Sequence, residues 1–380
     1  MLQRFEIESF RKLESVSLEE LAEFNLIVGR NNSGKTSILE AVAVGLAMGE
    51  AREILSVARK RDSRSNVVLA GPSYLSDIVS WMFPAPSTSF WDVNFDGSIK
   101  LKYTADDCEL KVEMSCRRAF FDPSEEPRSR LDSANKFEPL RGIEVATVVQ
   151  ERTPSSVDFL EIANMEFSLG ARSVDRESIT TRHQIKQRIP FEYISPYSHR
   201  NSNSSESFVR RLQDENEKHE IVELLRGIDE DIVDFFYEPF LGNHRSRGGR
   251  AVIKTRAGKY IPLSVLGDGV RRVFELGAAL HYSRNGVLLV DEIEAGFHVG
   301  MLGDVYRWLT SKASQNDVQI IASSHSLEAI QAMVEAAAIS SKSETLRGFS
   351  IGLDRKFGKV RHYFGKELYS LISDNGLDIR

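Results

Sequence analysis

The stretch from Gly29 to Thr36 constrains this chain most. It reads Gly-Arg-Asn-Asn-Ser-Gly-Lys-Thr and fits the phosphate-loop pattern G-x-x-x-x-G-K-[ST]. Glycines are needed there because backbone N–H groups must close around phosphate oxygens, where a Cβ atom would collide. The apolar run Phe24–Val28 precedes the loop and reads as a buried strand, and an apolar-rich helix is predicted from Ser37 onward. A phosphate loop at a strand-to-helix turn predicts an α/β fold that binds a nucleoside triphosphate.

Within the loop, two side chains have distinct expected roles. We expect Lys35 to place its charge near the β and γ phosphates, and Thr36 to offer its hydroxyl to Mg²⁺. The N-terminal dipole of the following helix favours the same anion. The residues expected to bind the nucleotide are Gly29, Asn31, Asn32, Ser33, Gly34, Lys35, Thr36 and Ser37.

A second phosphate-handling element follows the apolar run at 286–290, which ends in the adjacent carboxylates Asp291 and Glu292. In P-loop enzymes the strand beside the loop ends in an Asp that holds Mg²⁺. Asp291 is therefore the predicted metal ligand, together with Thr36, and Glu292 is the predicted general base for the attacking water. A solvated turn with two acids is the alternative, and the apolar run before the pair argues against it.

Asp291 lies 255 residues after Thr36, a gap that requires a further module between the two motifs. Within the gap, a turn that contains Ser264, Gly267 and Gly269 precedes a predicted helix. A helix N-terminus with small residues can bind phosphate, but Gly29–Thr36 already wraps the phosphates of one nucleotide. We therefore expect the turn to contact the γ-phosphate of a nucleotide held by a second subunit. An ordinary helix cap is the alternative.

The segment Ser323-Ser324-His325-Ser326 follows another short apolar strand. A histidine at the end of a strand next to the Asp291 strand can reach the γ-phosphate. His325 therefore joins Lys35 and Glu292 in the predicted catalytic set.

Composition limits the class of protein and its compartment. The 380 residues include 41% hydrophobic and 27% charged residues, as in soluble globular proteins, with a net charge of −6. DNA binding would therefore need a local basic face. Cys108 and Cys116 lack metal-site spacing, and the chain shows neither a signal-peptide core nor an apolar run long enough to span a bilayer. We expect a cytoplasmic protein without membrane association.

Hydrophobic periodicity predicts β structure in the first half of the chain. Alternation before residue 28 indicates paired strands, and residues 90–114 indicate a hairpin with Asp96-Gly97 at its turn. Residues 122–141 read as an exposed loop, and residues 204–240 as a charged helical region.

In the last third, a hairpin across Ala257-Gly258 leads into alternating helices and strands, an order that implies a parallel sheet. The predicted elements are a helix at 270–283, a strand at 287–290, a helix at 299–312, a strand at 318–322 and a helix at 327–336.

This ordered set of motifs resembles the ABC-type ATPase heads of the SMC, RecF and OLD group. It looks most like the stand-alone OLD-like ATPases of prokaryotic anti-phage defence systems, such as PARIS and Septu. Their signature often reads Gly-Asp-Gly, as Gly267-Asp268-Gly269 does. The matching segments are Ile7-Glu8-Ser9-Phe10-Arg11, Gly29–Thr36 with Ile38-Leu39-Glu40-Ala41, residues 263–269, residues 286–292 and Ser324-His325-Ser326.

The resemblance implies an α/β head in which two subunits sandwich ATP and Mg²⁺ as a homodimer or higher homo-oligomer. Ser264, Gly267 and Gly269 would then contact ATP in trans. It also implies one head over residues 1–380. Its expected parts are lobe I at 1–195 with the phosphate loop and an antiparallel β region, a helical insertion at 196–245, and residues 246–380 with the signature, the Walker B strand, the histidine switch and a final hairpin and helix.

Two departures from the family shape the expected function. Residues 204–240 suffice only for short helices, so no long coiled coil is expected, and the 55 residues after His325 are too few for a TOPRIM nuclease domain. The resemblance then implies a sensor or assembly ATPase that works with a separately encoded effector, such as a nuclease, in anti-phage defence.

Two other functions remain open at this point. One is a RecF-like repair ATPase that binds DNA through the basic run at 244–250 with Lys254 and Arg256, although such a run is often only a solvated turn. The other is a scaffold in which ATP serves mainly as structural glue.

Overall fold

The computed structural model divides the described chain into two compact units. The first contains the described residues within Met1–Leu21, Thr36–Arg188 and Leu353–Val360, and the second those within Ala22–Lys35, Ile189–Gly352 and Arg361–Arg380. The residues described are 1–60, 73–84, 96–121, 140–169, 174–182, 188–200, 206, 208–210, 212, 215–240, 249–339, 343–352, 360–376, 378 and 379.

The helices and strands follow one another as the motif order suggested, with strands dominating the first half. The strands are β1 (Leu2–Phe10), β2 (Leu13–Leu18), β3 (Phe24–Val28), β4 (Asp96–Ala105), β5 (Cys108–Phe121), β6 (Leu140–Arg152), β7 (Leu160–Leu169), β8 (Val174–Arg182), β9 (Phe191–Ile194), β10 (Ile232–Pro239), β11 (Gly249–Thr255), β12 (Tyr260–Pro262), β13 (Val287–Val290), β14 (Gln319–Ser324), β15 (Leu346–Ile351) and β16 (Val360–Phe364). The helices are α1 (Lys35–Ala47), α2 (Ala51–Arg59), α3 (Ser73–Ser80), α4 (Glu215–Arg226), α5 (Asp268–Tyr282), α6 (Leu302–Gln315), α7 (Leu327–Ile339) and α8 (Gly365–Tyr369).

The first unit is built on a seven-stranded sheet in the order β2-β1-β4-β5-β6-β7-β8, and the neighbouring strands pair antiparallel. Phe5 and Ile7 of β1 are buried with the two-residue period expected of a sheet with one covered face. The next buried residues, Leu2 and Phe10, each lie three residues away, where the pairing of β1 with β4 shifts register. The paired strands predicted before the phosphate loop are the β1–β2 hairpin.

The hairpin between β4 and β5 turns at a different place from the predicted one. Asp96 and Gly97 pair with Arg117 and Cys116 inside the ladder, so they form no turn. The chain reverses instead at Asp106-Asp107, where φ is 48° and 64°. Two consecutive left-handed residues suit the twist of a tight hairpin, and aspartate tolerates this conformation better than most residues. Most of the predicted loop at 122–141 lies outside the described residues.

The second unit contains a six-stranded sheet in the order β16-β15-β3-β14-β13-β9. The strands from β15 to β9 run parallel. Every residue of β3, β13 and β14 is buried, as expected of central strands with both faces covered. Helices α6 and α7 contribute to the core that packs on these strands, including Leu309 and Ile330.

A smaller antiparallel sheet, in the order β10-β11-β12, packs with α4 and α5 in a second core of this unit. The predicted helical region at 204–240 is therefore only partly helical: α4 is followed by β10. Gly227 follows the last residue of α4, and Phe235 in β10 pairs with Ile253 in β11. Pairing with a strand from later in the chain overrides the local helical pattern.

The predicted α/β fold class, with a mixed β region and a parallel-sheet core that carries the phosphate loop, is confirmed. The predicted helices and strands of the last third are present within a few residues of their expected ends. The two units group residues differently from the predicted lobes, because Gly29–Lys35 falls in the second unit. In the part of the chain that the structure describes, no helix is both long and apolar enough to cross a membrane.

Candidate functional site

The phosphate loop follows β3 directly and has the backbone geometry that its glycines suggest. Gly34 has φ of 100° and Asn32 has φ of 65°, both in the left-handed region that glycine and asparagine tolerate best. A Cβ atom on Gly29 would lie 2.6 Å from Ser33 Oγ and 3.0 Å from the carbonyl oxygen of Ile351. A larger residue at position 29 would therefore disrupt the loop.

The loop also encloses the ammonium group of Lys35. The Lys35 side chain is buried to 7% exposure, and its Nζ donates to the carbonyl oxygens of Gly29 at 2.7 Å and Arg30 at 2.9 Å. Ser33 Oγ is buried and has no hydrogen-bond partner within the described residues. A buried ammonium, an unsatisfied hydroxyl and a glycine cradle are features that fit an anionic phosphate chain.

Thr36 and Ser37 continue the chain into the first turn of α1. Each of the two residues makes further interactions in the structure. As the residue after Lys35, Thr36 keeps its place as the predicted Mg²⁺ ligand of the motif.

The parallel sheet brings three of the sequence motifs to one edge. Strand β14 lies between β3 and β13, with Ser324 aligned to Val28 and Ala322 aligned to Val290. The phosphate loop, the 291–292 acid pair and the segment 323–326 therefore all follow the carboxyl ends of adjacent strands. Neighbouring strands are about 4.8 Å apart, which places the three segments within reach of one small ligand.

The metal-ligand candidate Asp291 is held by a serine that the sequence analysis did not assign a role. Ser323 Oγ donates to Asp291 Oδ1 at 2.5 Å, and the hydroxyl oxygen of Ser323 also accepts from the backbone N–H of Glu292 at 2.9 Å. The backbone N–H of Asp291 donates to the carbonyl oxygen of Ile194 at 2.8 Å. Both the carboxylate and the backbone of the acid pair are thus fixed from neighbouring strands.

Glu292 stands in an unusual conformation and environment. Its φ is 47°, a left-handed value that costs a non-glycine residue about 1–3 kcal/mol and is most often found at functional sites. Burial raises the pKa of Glu292, and Asp291 and Glu294 add to the effect, whereas His325 and Lys35 oppose it. A carboxylate with a raised pKa accepts a proton more readily, as a general base must.

His325 lies beside this carboxylate. Its Nδ1 is 3.7 Å from Glu292 Oε1 and 3.3 Å from Glu294 Oε1. The structure therefore brings the three predicted catalytic residues into one unit, and Lys35 and His325 both interact electrostatically with Glu292.

The signature-like turn occupies the N-terminal end of α5. Ser264 is exposed in a short 3₁₀ turn, and Gly267 is the residue before the helix, with open space where a Cβ would be. A Cβ on Gly269 would lie 3.1 Å from the carbonyl oxygen of Gly296, so the loop after the acid pair packs closely on the helix start. That close approach explains the glycine at position 269.

Arg272, one turn into α5, joins this helix to the acid pair. The side chain is fully buried, and Nη2 lies within hydrogen-bond distance of the carbonyl oxygens of Asp291 (3.2 Å) and Glu292 (3.4 Å). Nη1 donates to the carbonyl oxygen of Ser195 at 2.8 Å and forms an ion pair with Glu275 at 3.0 Å. A buried guanidinium that holds several carbonyl groups fixes their relative positions.

Ser323, Glu294 and Arg272 make contacts at this site that the sequence motifs do not indicate. Two signals were available: Ser323 begins the segment that carries His325, and Glu294 follows the acid pair by two residues. Neither signal predicts which residue forms the hydrogen bond, because the hydrogen-bond partners follow other strands of the sheet.

Two family models match parts of the chain. The model described as "AAA ATPase domain" matches residues 1–47, and the model described as "AAA domain, putative AbiEii toxin, Type IV TA system" matches residues 253–331. The first match contains the phosphate loop, and the second contains the α5 turn, the acid pair and His325.

Known proteins with similar sequences or structures match different lengths of this chain. An "ATP/GTP phosphatase" of Helicobacter pylori is 20% identical over 97% of this chain and 97% of its own length. The "DNA replication and repair protein RecF" of Haemophilus ducreyi is 54% identical over 41 residues, 11% of each chain. The solved structure of an Smc head bound to the C-winged helix domain of ScpA has a TM-score of 0.47 at 13% identity, covering 96% of this chain and 97% of that one.

Both family models describe ATPase domains, and the motifs they contain converge on one sheet edge of this structure. The chain is therefore an ATPase whose phosphate loop is carried by the parallel sheet of an α/β fold.

Proposed function

We propose that this edge of the sheet is the ATP-hydrolysing centre. Residues 29–35 with Thr36 and Ser37 hold the phosphates, and Lys35 neutralises charge on the transferred phosphoryl group. Glu292 orients the attacking water and takes its proton, and His325 contacts the γ-phosphate. The observation that carries the proposal is the convergence of the phosphate loop, the acid pair and His325 at the ends of three adjacent strands.

Mg²⁺ fits this centre through shared ligands. The described residues contain no group of three or more His, Cys, Asp or Glu side chains placed to hold a metal ion. Mg²⁺ usually binds through one or two protein ligands together with substrate phosphates. Asp291 and Thr36 would hold the ion together with phosphate oxygens of ATP, and it would neutralise charge on those phosphates.

The turn at Ser264, Gly267 and Gly269 serves a second copy of the chain in this proposal. Ser264 and Gly267 are exposed, and the first N–H groups of α5 lie beside them. Such a helix end favours an anion, so it would contact the γ-phosphate of ATP held by the partner subunit. ATP would thereby join two subunits, and hydrolysis would release them.

The substitution Glu292→Gln tests hydrolysis against a purely structural role of ATP. We expect phosphate release to fall at least about 100-fold while ATP binding persists, because the base is lost and the phosphate contacts remain. The variant should accumulate as an ATP-bound dimer, measured by light scattering with and without ATP. Equal assembly of Glu292→Gln and wild type would favour ATP as structural glue.

The substitution Lys35→Ala should abolish ATP binding. Lys259→Ala, which removes an exposed lysine, is the matched control.

At the level of the cell, we assign this ATPase to anti-phage defence with a separately encoded effector. The support is the resemblance of its motifs to stand-alone OLD-like ATPases. The family model matched at 253–331 is described by a toxin–antitoxin system, which is also a two-component arrangement. Co-purification from the native operon tests the assignment. No stable partner, together with no effect on phage plating, would remove it.

RecF-like DNA binding is the second candidate, supported by the short RecF match. In the described part of the basic segment, Arg250 forms an ion pair with Glu238 at 2.6 Å. Lys254 is aligned with Asp234 across the sheet, but the Asp234 carboxylate forms an ion pair with Lys218 at 2.8 Å. Arg245 and Arg247 lie outside the described residues. DNA affinity that falls steeply with salt would favour this candidate, and no binding at low salt would exclude it.

A further inference from the structure

The side chain of Glu294 collects donors from the segment that carries His325. Its Oε1 accepts from the Ser324 hydroxyl at 3.0 Å, from the His325 backbone N–H at 3.0 Å and from the Ser326 backbone N–H at 3.2 Å. The carboxylate is largely buried, at 13% exposure. One carboxylate oxygen therefore holds three consecutive residues of the segment.

Glu294 is also the nearer of two carboxylates to the imidazole of His325. His325 Nδ1 lies 3.3 Å from Glu294 Oε1 and 3.7 Å from Glu292 Oε1. Nδ1 itself is buried, although the side chain as a whole is 39% exposed. The exposed part of the ring is therefore the part away from Nδ1.

The two carboxylates bear on which ring nitrogen of His325 carries the proton when the imidazole is neutral. Two carboxylate oxygens close to Nδ1 create a negative potential there, which favours a proton on that atom. In histidines, the group that contacts one ring nitrogen commonly decides whether the other nitrogen is protonated. Nε2 then carries no proton in the neutral imidazole, and only the imidazolium, with both nitrogens protonated, can donate from Nε2 to a phosphate oxygen.

We propose that Glu294 is a positioning residue that keeps a proton on Nδ1 of His325 and thereby reserves Nε2 for the phosphate. The catalytic consequence rests on the function proposed above for His325. Glu294 itself does not touch the nucleotide in this proposal; it acts through the imidazole and through the backbone of residues 324–326.

The decisive variant is Glu294→Gln, because an amide oxygen can still accept from the hydroxyl and the two backbone N–H groups while the charge is lost. Nitrogen NMR of protein labelled with ¹⁵N-histidine reports the protonated ring nitrogen directly, and the His325 signal is assigned by its absence in His325→Gln. We expect Nδ1–H in the wild type and a shift toward Nε2–H in Glu294→Gln. A wild-type proton on Nε2 alone, with none on Nδ1, or an unchanged tautomer in the variant would overturn the proposal.

Kinetics supply a second readout that a merely structural role would not produce. Glu294→Gln should lower kcat for ATP about 10- to 100-fold and leave KM within about twofold. Added to His325→Gln, it should cause no further loss, because both substitutions act on the same group. Losses that multiply would contradict the proposal. Glu328→Gln is the matched control, since its carboxylate contacts the Ser326 hydroxyl in the same segment and should leave kcat nearly unchanged.

The two readouts separate this inference from the proposed function. If His325→Gln retained full kcat, the role of His325 in hydrolysis would be wrong. The tautomer measured in the wild type and in Glu294→Gln would still decide whether Glu294 positions the imidazole.

Discussion

Ser323 is a single hydroxyl that joins two strands at their functional ends. It donates to the carboxylate of Asp291 and accepts from the backbone N–H of Glu292. The second contact holds Glu292 in its left-handed conformation, which a glutamate does not favour. If Asp291 is the metal ligand and Glu292 the general base, as proposed above, a side chain that orients both would affect metal affinity and rate.

Replacing Ser323 with alanine should therefore weaken the response to Mg²⁺. We expect the Mg²⁺ concentration for half-maximal ATP hydrolysis to rise about 10-fold, because Asp291 loses the group that orients it and the Glu292 N–H loses its acceptor. A titration of ATPase activity against Mg²⁺ measures the shift. Ser314→Ala, which removes a surface hydroxyl bonded to Glu23, serves as control. An unchanged Mg²⁺ dependence would show that Ser323 only fills space.

Helix α5 is the element that links the signature-like turn to the acid pair. Its first residue, Asp268, stands near the positive end of the helix dipole and forms ion pairs with Arg200 and Arg271. Arg272 then carries the connection to the carbonyl groups of the acid pair. Movement of the helix start would therefore be felt at Glu292 through one buried side chain.

His199 packs under the start of α5, and we expect its buried imidazole to make the stability of the protein depend on pH. The imidazole is buried, with Nε2 at 3.5 Å from Asp268 Oδ1. Burial lowers the pKa of His199, and Arg272 and Arg200 act in the same direction, whereas Asp268 opposes them. In the unfolded chain the pKa returns to about 6.5, so the unfolded state takes up the proton first as pH falls.

The free energy of unfolding should accordingly be highest above about pH 6.5 and decrease as the pH falls from there toward the lowered pKa of the folded state. Each unit by which folding lowers the pKa costs about 1.4 kcal/mol once the pH is below both values. Urea unfolding at several pH values measures this slope in the wild type and in His199→Gln, which should lose part of it. Identical slopes in the two proteins would assign the acid sensitivity to other groups.

At the scale of the whole molecule, the proposed ATP-linked dimer depends on Gly267, where the single chain has open space. A Cβ at Gly267 would meet nothing within 4 Å, and aspartate is a favourable residue before a helix. Gly267→Asp should therefore fold at least as stably as the wild type. The added negative charge would repel the phosphate of a partner's ATP.

We expect Gly267→Asp to bind ATP normally but to lose ATP-dependent dimerisation and most hydrolysis, whereas Gly267→Ser should retain both. Mixing Gly267→Asp with Lys35→Ala tests the trans arrangement, because a mixed dimer contains one composite site with an intact loop and an intact turn. Activity recovered in the mixture, where each variant alone is inactive, is the expected result. No recovery would indicate that the turn acts within its own subunit.

The sequence by itself determined the phosphate loop, the strand before it, the acid pair at the end of β13 and the parallel order of the last third. These features are local: a run of apolar residues, a glycine pattern and a strand-helix alternation are each contained within a short segment. The local patterns were less successful where long-range pairing prevails, as at β10 and at the Asp106-Asp107 turn.

Only the tertiary structure decided how these segments meet. Strand β14 pairs with β3, almost 300 residues earlier in the chain, as in the contact of Ile320 with Phe24. The hydrogen bonds of Ser323, Glu294 and Arg272 follow from the pairing of β14 with β13 and from the packing of α5 beside the acid pair. Neither register between distant strands nor the acceptor that a buried donor finds is encoded in local periodicity, because both depend on which distant surfaces pack together.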